Sequence, residues 1–315
     1  MDAPPKAKDI RAAAERIAPF VHRTPVLQSC YLNHLTGCTL FFKCENFQKA
    51  GAFKSRGAVN AVFSLGANES AAGVCTHSSG NHAQALARAA ALRGIPAFIV
   101  MPENAPEVKV AAVKHYGGRI TFCEPTLSSR EETLSGLAAT TGAIEIHPYN
   151  NNVIIAGQAT AGMELIEAIP ALNILLTPVG GGGLLSGTAL SAHYFGKGIG
   201  VMAAEPAGAD DAWRSLKEGR IVPSENPKTI ADGLLTSLGS RTFPIIRQYV
   251  SAIHRVSEGG IIAAMQLIWE RMKIVVEPSA ATGLAAVLEY PDVFRGRKTG
   301  IILSGGNVDV KKLPW

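Results

Sequence analysis

The sequence predicts an α/β protein built on parallel sheets, and three features carry that prediction: strand-length runs that are apolar throughout, a glycine-bearing turn after each, and a helix beyond the turn. A strand covered on both faces shows no alternation of polar and apolar residues, and helical crossovers supply that cover. The first clear unit reads Gly73-Val-Cys-Thr-His77 as strand, Ser78-Ser-Gly-Asn81 as turn, and His82 to Arg93 as an alanine-rich helix that Gly94 stops. Ile95 to Pro102 supplies the next strand. The unit returns in Ile174 to Val179, the turn Gly180 to Gly183, the helix from Leu184, and a strand Gly200 to Ala204 closing at Glu205. It returns again near the end, with Gly300 to Leu303 as strand and Ser304-Gly-Gly-Asn307 as turn. Ligands bind outside the carboxyl ends of such strands, so these turns are the candidate site.

With 315 residues, of which 47% are hydrophobic, the chain can bury a large core and suits two compact units. No run approaches the ~18 uninterrupted apolar residues of a membrane span, and the opening segment alternates charge with alanine. A cytoplasmic protein without a membrane partner is the expectation. The five cysteines form no close C-x-x-C pair and read as free thiols. The net charge of +5 is spread over singly placed basic residues, with only 6% aromatics, which argues against nucleic acid and fits a mild field around an anionic cofactor or substrate. There is no short-period repeat or long linker, so a second domain must share the same sheet pattern and can be inserted in the first.

Four successive glycines, Gly180 to Gly183, between strand and helix leave backbone N–H groups uncovered at a helix N-terminus, where the dipole favours a phosphate. A tight turn alone needs one or two glycines, not four. A dinucleotide site is the rival reading, because Glu205 ends the next strand where a ribose-binding acid would lie; the G-x-G-x-x-G/A spacing fails at Ser186 and at Leu185. In Ala50-Gly-Ala-Phe-Lys-Ser-Arg-Gly57 a lysine stands between a glycine turn and a helix start. A lone lysine is ordinarily a solvated charge, but an amine desolvated beside Phe53 and near Arg56 becomes nucleophilic toward an aldehyde. Ser78-Ser-Gly-Asn-His82 offers hydroxyls, an amide and free N–H groups for a carboxylate, although alone it is an ordinary helix cap.

The segments AGAFKSRGA, THSSGNHAQAL, PVGGGG, AAEPAGADD, TIADG, VEPSAATGLAA and ILSGGNVD occur in one order over Thr24 to Asp309. Together they resemble the fold-type-II, tryptophan-synthase-β-like pyridoxal-phosphate enzymes, in the branch of serine racemases and serine-threonine dehydratases. The resemblance implies two doubly wound domains with open, parallel-rich sheets: a large cofactor-binding domain from residues 1–72 and 151–315, and a small mobile domain inserted at 73–150. It implies pyridoxal 5'-phosphate bound covalently through Lys54, with Phe53 beside the ring, Asn81 on the phenolic oxygen, Gly180, Gly181, Gly182, Gly183 and Leu184 around the phosphate, Ser304 at the pyridine nitrogen and Glu277 among the cofactor's neighbours. The related sulfhydrylases typically follow the lysine with Asp-Arg, where this chain has Ser55-Arg56.

The same resemblance implies that the Lys54 amine removes the α-hydrogen of a small amino acid. Loss of a β-hydroxyl then gives a 2-keto acid and ammonia, whereas a proton returned from Ser79 on the opposite face gives racemisation. Substrate contacts are expected from Ser78, Ser79, Gly80, Asn81, His82, Arg130 and Tyr149. Close relatives deaminate 3-hydroxyaspartate, and Arg130 or His82 is the candidate counter-charge for its extra carboxylate. Tyr149 follows His147-Pro148 as in plant racemases and microbial dehydratases, where animal racemases carry Asn. The turn Glu205 to Asp211 implies a divalent cation, Mg²⁺ or else Ca²⁺ or Mn²⁺, on Glu205, Asp211 and the Ala209 carbonyl. Gln84, Lys109, Tyr116 and Lys273 match positions near an interface ATP that activates animal enzymes, and a homodimer is implied with it. The non-enzymatic alternative is a phosphometabolite-binding module in which Lys54 is only a counter-ion; visible absorbance after incubation with pyridoxal phosphate separates the two.

Overall fold

The computed structural model describes residues 3–105 and 107–315. Ten strands occur among them: β1 Val26–Leu27, β2 Thr39–Cys44, β3 Val74–His77, β4 Ala97–Pro102, β5 Arg119–Cys123, β6 Ile144–Glu145, β7 Ile174–Pro178, β8 Gly200–Pro206, β9 Ala252–Val256 and β10 Lys298–Leu303. They form two sheets. Six strands are ordered β1-β2-β10-β7-β8-β9, with only the β1–β2 pair antiparallel, and four are ordered β5-β4-β3-β6, all parallel. The α/β class follows directly from this pairing. The central strands are the apolar ones: every residue of β7 is buried, and β10 is buried after its first. The edge strand β5 leaves Arg119 and Phe122 exposed.

β2 was hidden in sequence because Lys43 interrupts its apolar run. That lysine is buried and donates both to Glu164 (2.6 Å) and to the Thr24 carbonyl (2.7 Å). The C-terminal strand β10 inserts between β2 and β7, pairing Ile301 with Phe42 on one side and Leu176 on the other. Carboxyl ends that belong to distant parts of the chain thereby come side by side.

Two apolar clusters cover the faces of the six-stranded sheet, one around Leu175, Leu185 and Ile302, the other around Leu176, Leu284 and Ile301. A third joins Val74 and Ile99 of the four-stranded sheet to Leu86 and to Val59 and Val62 of the Lys54–Ser64 helix. That helix also crosses the Asn152–Ala168 helix so closely that a Cβ on Gly157 would lie 2.6 Å from the Gly57 Cα. Only glycine allows the crossing.

Candidate active site

The turns at the carboxyl ends of β2, β3, β6, β7, β8 and β10 carry most of the residues expected at the site. Lys54 opens its helix directly after Phe53, and its Nζ donates to the Pro148 carbonyl (2.9 Å) and stands 5.2 Å from the Phe53 ring centroid. Burial lowers its pKa from 10.5 to about 8, opposed by the Glu277 carboxylate. The expectation that Arg56 helps depress it is corrected. Two positions along a helix point to different faces. Arg56 is fully buried on the far side, where Glu45 (2.7 Å) and Glu164 (2.7 Å) neutralise it and Thr160 accepts a further bond.

Three distant segments lock together around Lys54. Phe53 N–H donates to the Ser304 carbonyl (3.0 Å), Glu277 N–H donates to the Gly305 carbonyl (3.0 Å), and Ser304 is buried. Asn307 Nδ2 donates to the Ala50 carbonyl (2.8 Å) and to Asn81 Oδ1 (2.9 Å), while Asn81 Nδ2 donates to Glu277 Oε1 (2.8 Å). Burial pushes the Glu277 carboxyl up to about 8.

Gly180 to Leu184 connect β7 to the Gly183–Phe195 helix, and no side chain caps that helix N-terminus. Gly182 has φ +89°, and a Cβ there would meet Ile246 at 2.8 Å. A Cβ on Gly183 would lie 2.9 Å from that of Tyr149, whose ring also occupies the place of any side chain on Gly181. Uncapped N–H groups with no room for a side chain fit a phosphate.

Ser78, Ser79 and Gly80 form the half-buried turn after β3, leading into the Asn81–Arg93 helix, with Ser78 Oγ accepting from Gly80 N–H (3.4 Å). His82 is 2% exposed, and its Nε2 lies 3.0 Å from the Ile146 carbonyl, so the proton sits on Nε2. Burial, then the Lys54 charge, lowers its pKa to about 3. In this state the ring carries no charge of its own. Arg130 lies on the Leu127–Thr141 helix, and its Nε is buried with no hydrogen-bond partner among the described residues. It is close enough to help depress His77, whose pKa is lowered chiefly by burial.

Glu205 and Asp211 are both buried, as is Ala209 in the 3-10 turn Ala207–Ala209. The Glu205 oxygens accept the N–H groups of Ala212 (2.8 Å) and Trp213 (2.8 Å); burial pushes its carboxyl up to about 8 and that of Asp211 up to about 6. Both Asp211 oxygens are buried without a well-formed hydrogen bond among the described residues. No cluster of three acidic, histidine or cysteine ligands exists among those residues, so a cation here would draw on carbonyl and water oxygens as well. Of the four residues matched to a nucleotide, Gln84 is buried, Tyr116 packs edge-on against His115 (5.2 Å), Lys109 pairs with Asp232, and Lys273 is exposed at the end of the Glu258–Met272 helix.

Sequence reasoning missed His147, Pro148 and His77. His147 Nδ1 accepts the N–H groups of Asn150 (2.9 Å) and Tyr149 (3.3 Å), and its ring packs edge-on against those of Tyr149 (4.6 Å) and His77 (6.3 Å). The run of asparagines after it marked a turn, but nothing in its spacing marked the carbonyl that meets Lys54.

A lysine amine of lowered pKa, a phosphate-sized glycine cradle and polar turns converging at strand ends define an enzyme site for a phosphorylated aldehyde cofactor. The chain belongs to the pyridoxal-phosphate-dependent enzyme family, whose profile matches residues 17–305. It is 52% identical over 311 residues to the beta-hydroxyaspartate dehydratase of Paracoccus denitrificans, covering 99% of each chain. The crystal structure of serine racemase from Dictyostelium discoideum superimposes with a TM-score of 0.94 at 50% identity, over 98% of this chain and 100% of that one. Maize serine racemase gives 0.96 at 47% identity, over 98% and 95%. No helix among the described residues is long and apolar enough to cross a membrane.

Proposed function

We propose that this chain eliminates water from small β-hydroxy amino acids, the resulting enamine taking up water again to give a 2-keto acid and ammonia, and also inverts their α-carbon, with 3-hydroxyaspartate preferred over serine. The half-buried Lys54 amine, freed of much of its proton near pH 8, is the observation that carries the chemistry. Bound pyridoxal phosphate supplies an electron sink that acidifies the substrate's α-hydrogen. Lys54 holds the cofactor and, once released, takes that hydrogen at Nζ. Phe53 packs beside the ring, Ser304 hydroxyl meets its nitrogen, and Asn81, oriented by Glu277 and Asn307, donates to its phenolic oxygen. The Gly180–Leu184 N–H groups bind the phosphate. Ser78, Ser79, Gly80, Asn81 and the neutral His82 surround the substrate carboxylate, with Ser79 Oγ moving the proton on the opposite face. Tyr149 closes the site over the glycine loop and excludes water.

The preference for a dicarboxylate rests on Arg130, a charged group with an unpaired buried Nε beside His77. The activity in the name of the Paracoccus relative supports the same choice. Residues 73–150 form the small mobile domain, and 1–72 with 151–315 the large one. A divalent cation, Mg²⁺, Ca²⁺ or Mn²⁺, at Glu205, Asp211 and the Ala209 carbonyl stabilises the turn. A homodimer is supported by the exposed Tyr31, Phe47, Val275 and Trp315, and a cytoplasmic location is the working assumption. ATP as an activator would have to take Lys109 from its carboxylate partner Asp232.

The test offers L-serine, D-serine, L-threonine and each 3-hydroxyaspartate stereoisomer with pyridoxal phosphate and Mg²⁺, scoring keto acid against inverted amino acid. Faster keto-acid release from 3-hydroxyaspartate, lost in Arg130→Ala while serine turnover persists, supports the reading. Equal loss on serine and 3-hydroxyaspartate would remove Arg130 from β-carboxylate recognition.

A further inference from the structure

The loop 147–151 meets the site at several points, and one side chain sets its path. His147 Nδ1 accepts the N–H groups two and three residues ahead, at 3.3 and 2.9 Å. Asn151 Oδ1 repeats the pattern four residues on, accepting from Val153 (2.8 Å) and Ile154 (3.1 Å) to cap the next helix. Between these two turns the loop presents three contacts. The Pro148 carbonyl accepts from Lys54 Nζ (2.9 Å), the Tyr149 ring lies against Gly181 and Gly183, and Asn150 Oδ1 accepts from Arg241 N–H (2.8 Å).

We infer that His147 is a positioning residue: by accepting two backbone N–H groups at Nδ1 it fixes the Pro148 carbonyl where it holds the free Lys54 amine in line for the cofactor. This rests on the assignment of Lys54 as the cofactor-bearing lysine. The role requires an acceptor at Nδ1, hence a neutral ring protonated at Nε2. Burial and the nearby His77 and Lys54 charges agree, lowering the His147 pKa to about 4. An acceptor two bonds beyond Cβ is the essential feature, and Asn supplies one in the same place, as Asn151 does for its own turn. Phe keeps the ring and its packing but removes the acceptor; Gln moves the acceptor one carbon farther out.

The experiment mixes cofactor-free full-length protein with pyridoxal phosphate and follows two signals: the rate at which visible absorbance of the lysine-bound cofactor appears, and its visible circular dichroism. His147→Phe is expected to capture cofactor about tenfold or more slowly and to lose much of the dichroism, because a displaced nucleophile reacts slowly. His147→Asn is expected to stay within about threefold of the unaltered protein, since the local turn survives. Capture by His147→Phe at the unaltered rate, or equal impairment in His147→Asn, overturns the inference. Where His147→Phe gives no cooperative thermal transition, His147→Gln stands in for it, with slow capture expected and normal capture contrary. Absence of capture by the unaltered protein, or undiminished capture by Lys54→Ala, instead overturns the Lys54 assignment itself.

Discussion

At the scale of single residues, the chemistry depends on the ionisation of one amine. Lys54 has its pKa lowered to about 8 from 10.5 because burial penalises the ammonium more than Glu277 stabilises it. The reactive neutral form therefore accumulates as pH rises through about 8. Cofactor capture by the free protein should climb with a midpoint near that value and level off above it, whereas an exposed lysine would still be climbing; stopped-flow absorbance against pH checks this. Lys54→Ala should abolish capture and turnover. Ser79→Ala should cut racemisation by about 100-fold or more while sparing most elimination, in line with the loss of one acid-base group. Chiral product analysis reads both, and unchanged inversion in Ser79→Ala would refute the two-base assignment.

Single elements hold these residues in place by different means. The Lys54–Ser64 helix is pinned from behind by Arg56, which is fully buried with Glu45 and Glu164. Arg56→Leu leaves the buried Glu45 without its cation and Glu164 held by Lys43 alone, and should cost about 3–5 kcal/mol in denaturant unfolding. The Glu205–Asp211 turn shows the opposite condition, two buried carboxyls with raised pKa values and unpaired oxygens at Asp211. Saturating Mg²⁺ or Ca²⁺ should raise the melting temperature by about 3 °C or more. Asp211→Asn should remove that response, and an equal rise in this variant would place the cation elsewhere.

For the whole molecule, the site lies between two sheets, and an ion pair links an element packed on one to a turn beside the other. Lys109, on the Glu107–His115 helix between β4 and β5, reaches Asp232 in the 3-10 turn Asp232–Leu234. That turn abuts the glycine loop, since a Cβ on Gly180 would lie 3.0 Å from the Leu234 Cα. A half-exposed pair of this kind contributes about 0.2–1 kcal/mol. Lys109→Ala should accordingly raise KM up to about fivefold with little change in kcat, and added salt should raise KM in the unaltered protein but not in the variant. A fall in kcat with constant KM would assign Lys109 some other role.

Strand runs, glycine turns and the ordered motifs were legible because each is local: period, turn chemistry and the lysine's neighbours lie within a few residues of one another. From these the sequence by itself determined the α/β class, the family, and the strand-end turns where a phosphorylated cofactor and an amino acid would meet. Tertiary structure alone decided the electrostatics. Arg56 is close to Lys54 in sequence yet points to another face, His82 reads as a cation yet is buried as a neutral ring, and β2 hides its strand character behind a buried Lys43. Tertiary structure also decided that the Pro148 carbonyl, 94 positions from Lys54, is the group that meets its amine. A pKa depends on burial and on partners brought together by folding, and neither is encoded in the spacing of residues along the chain.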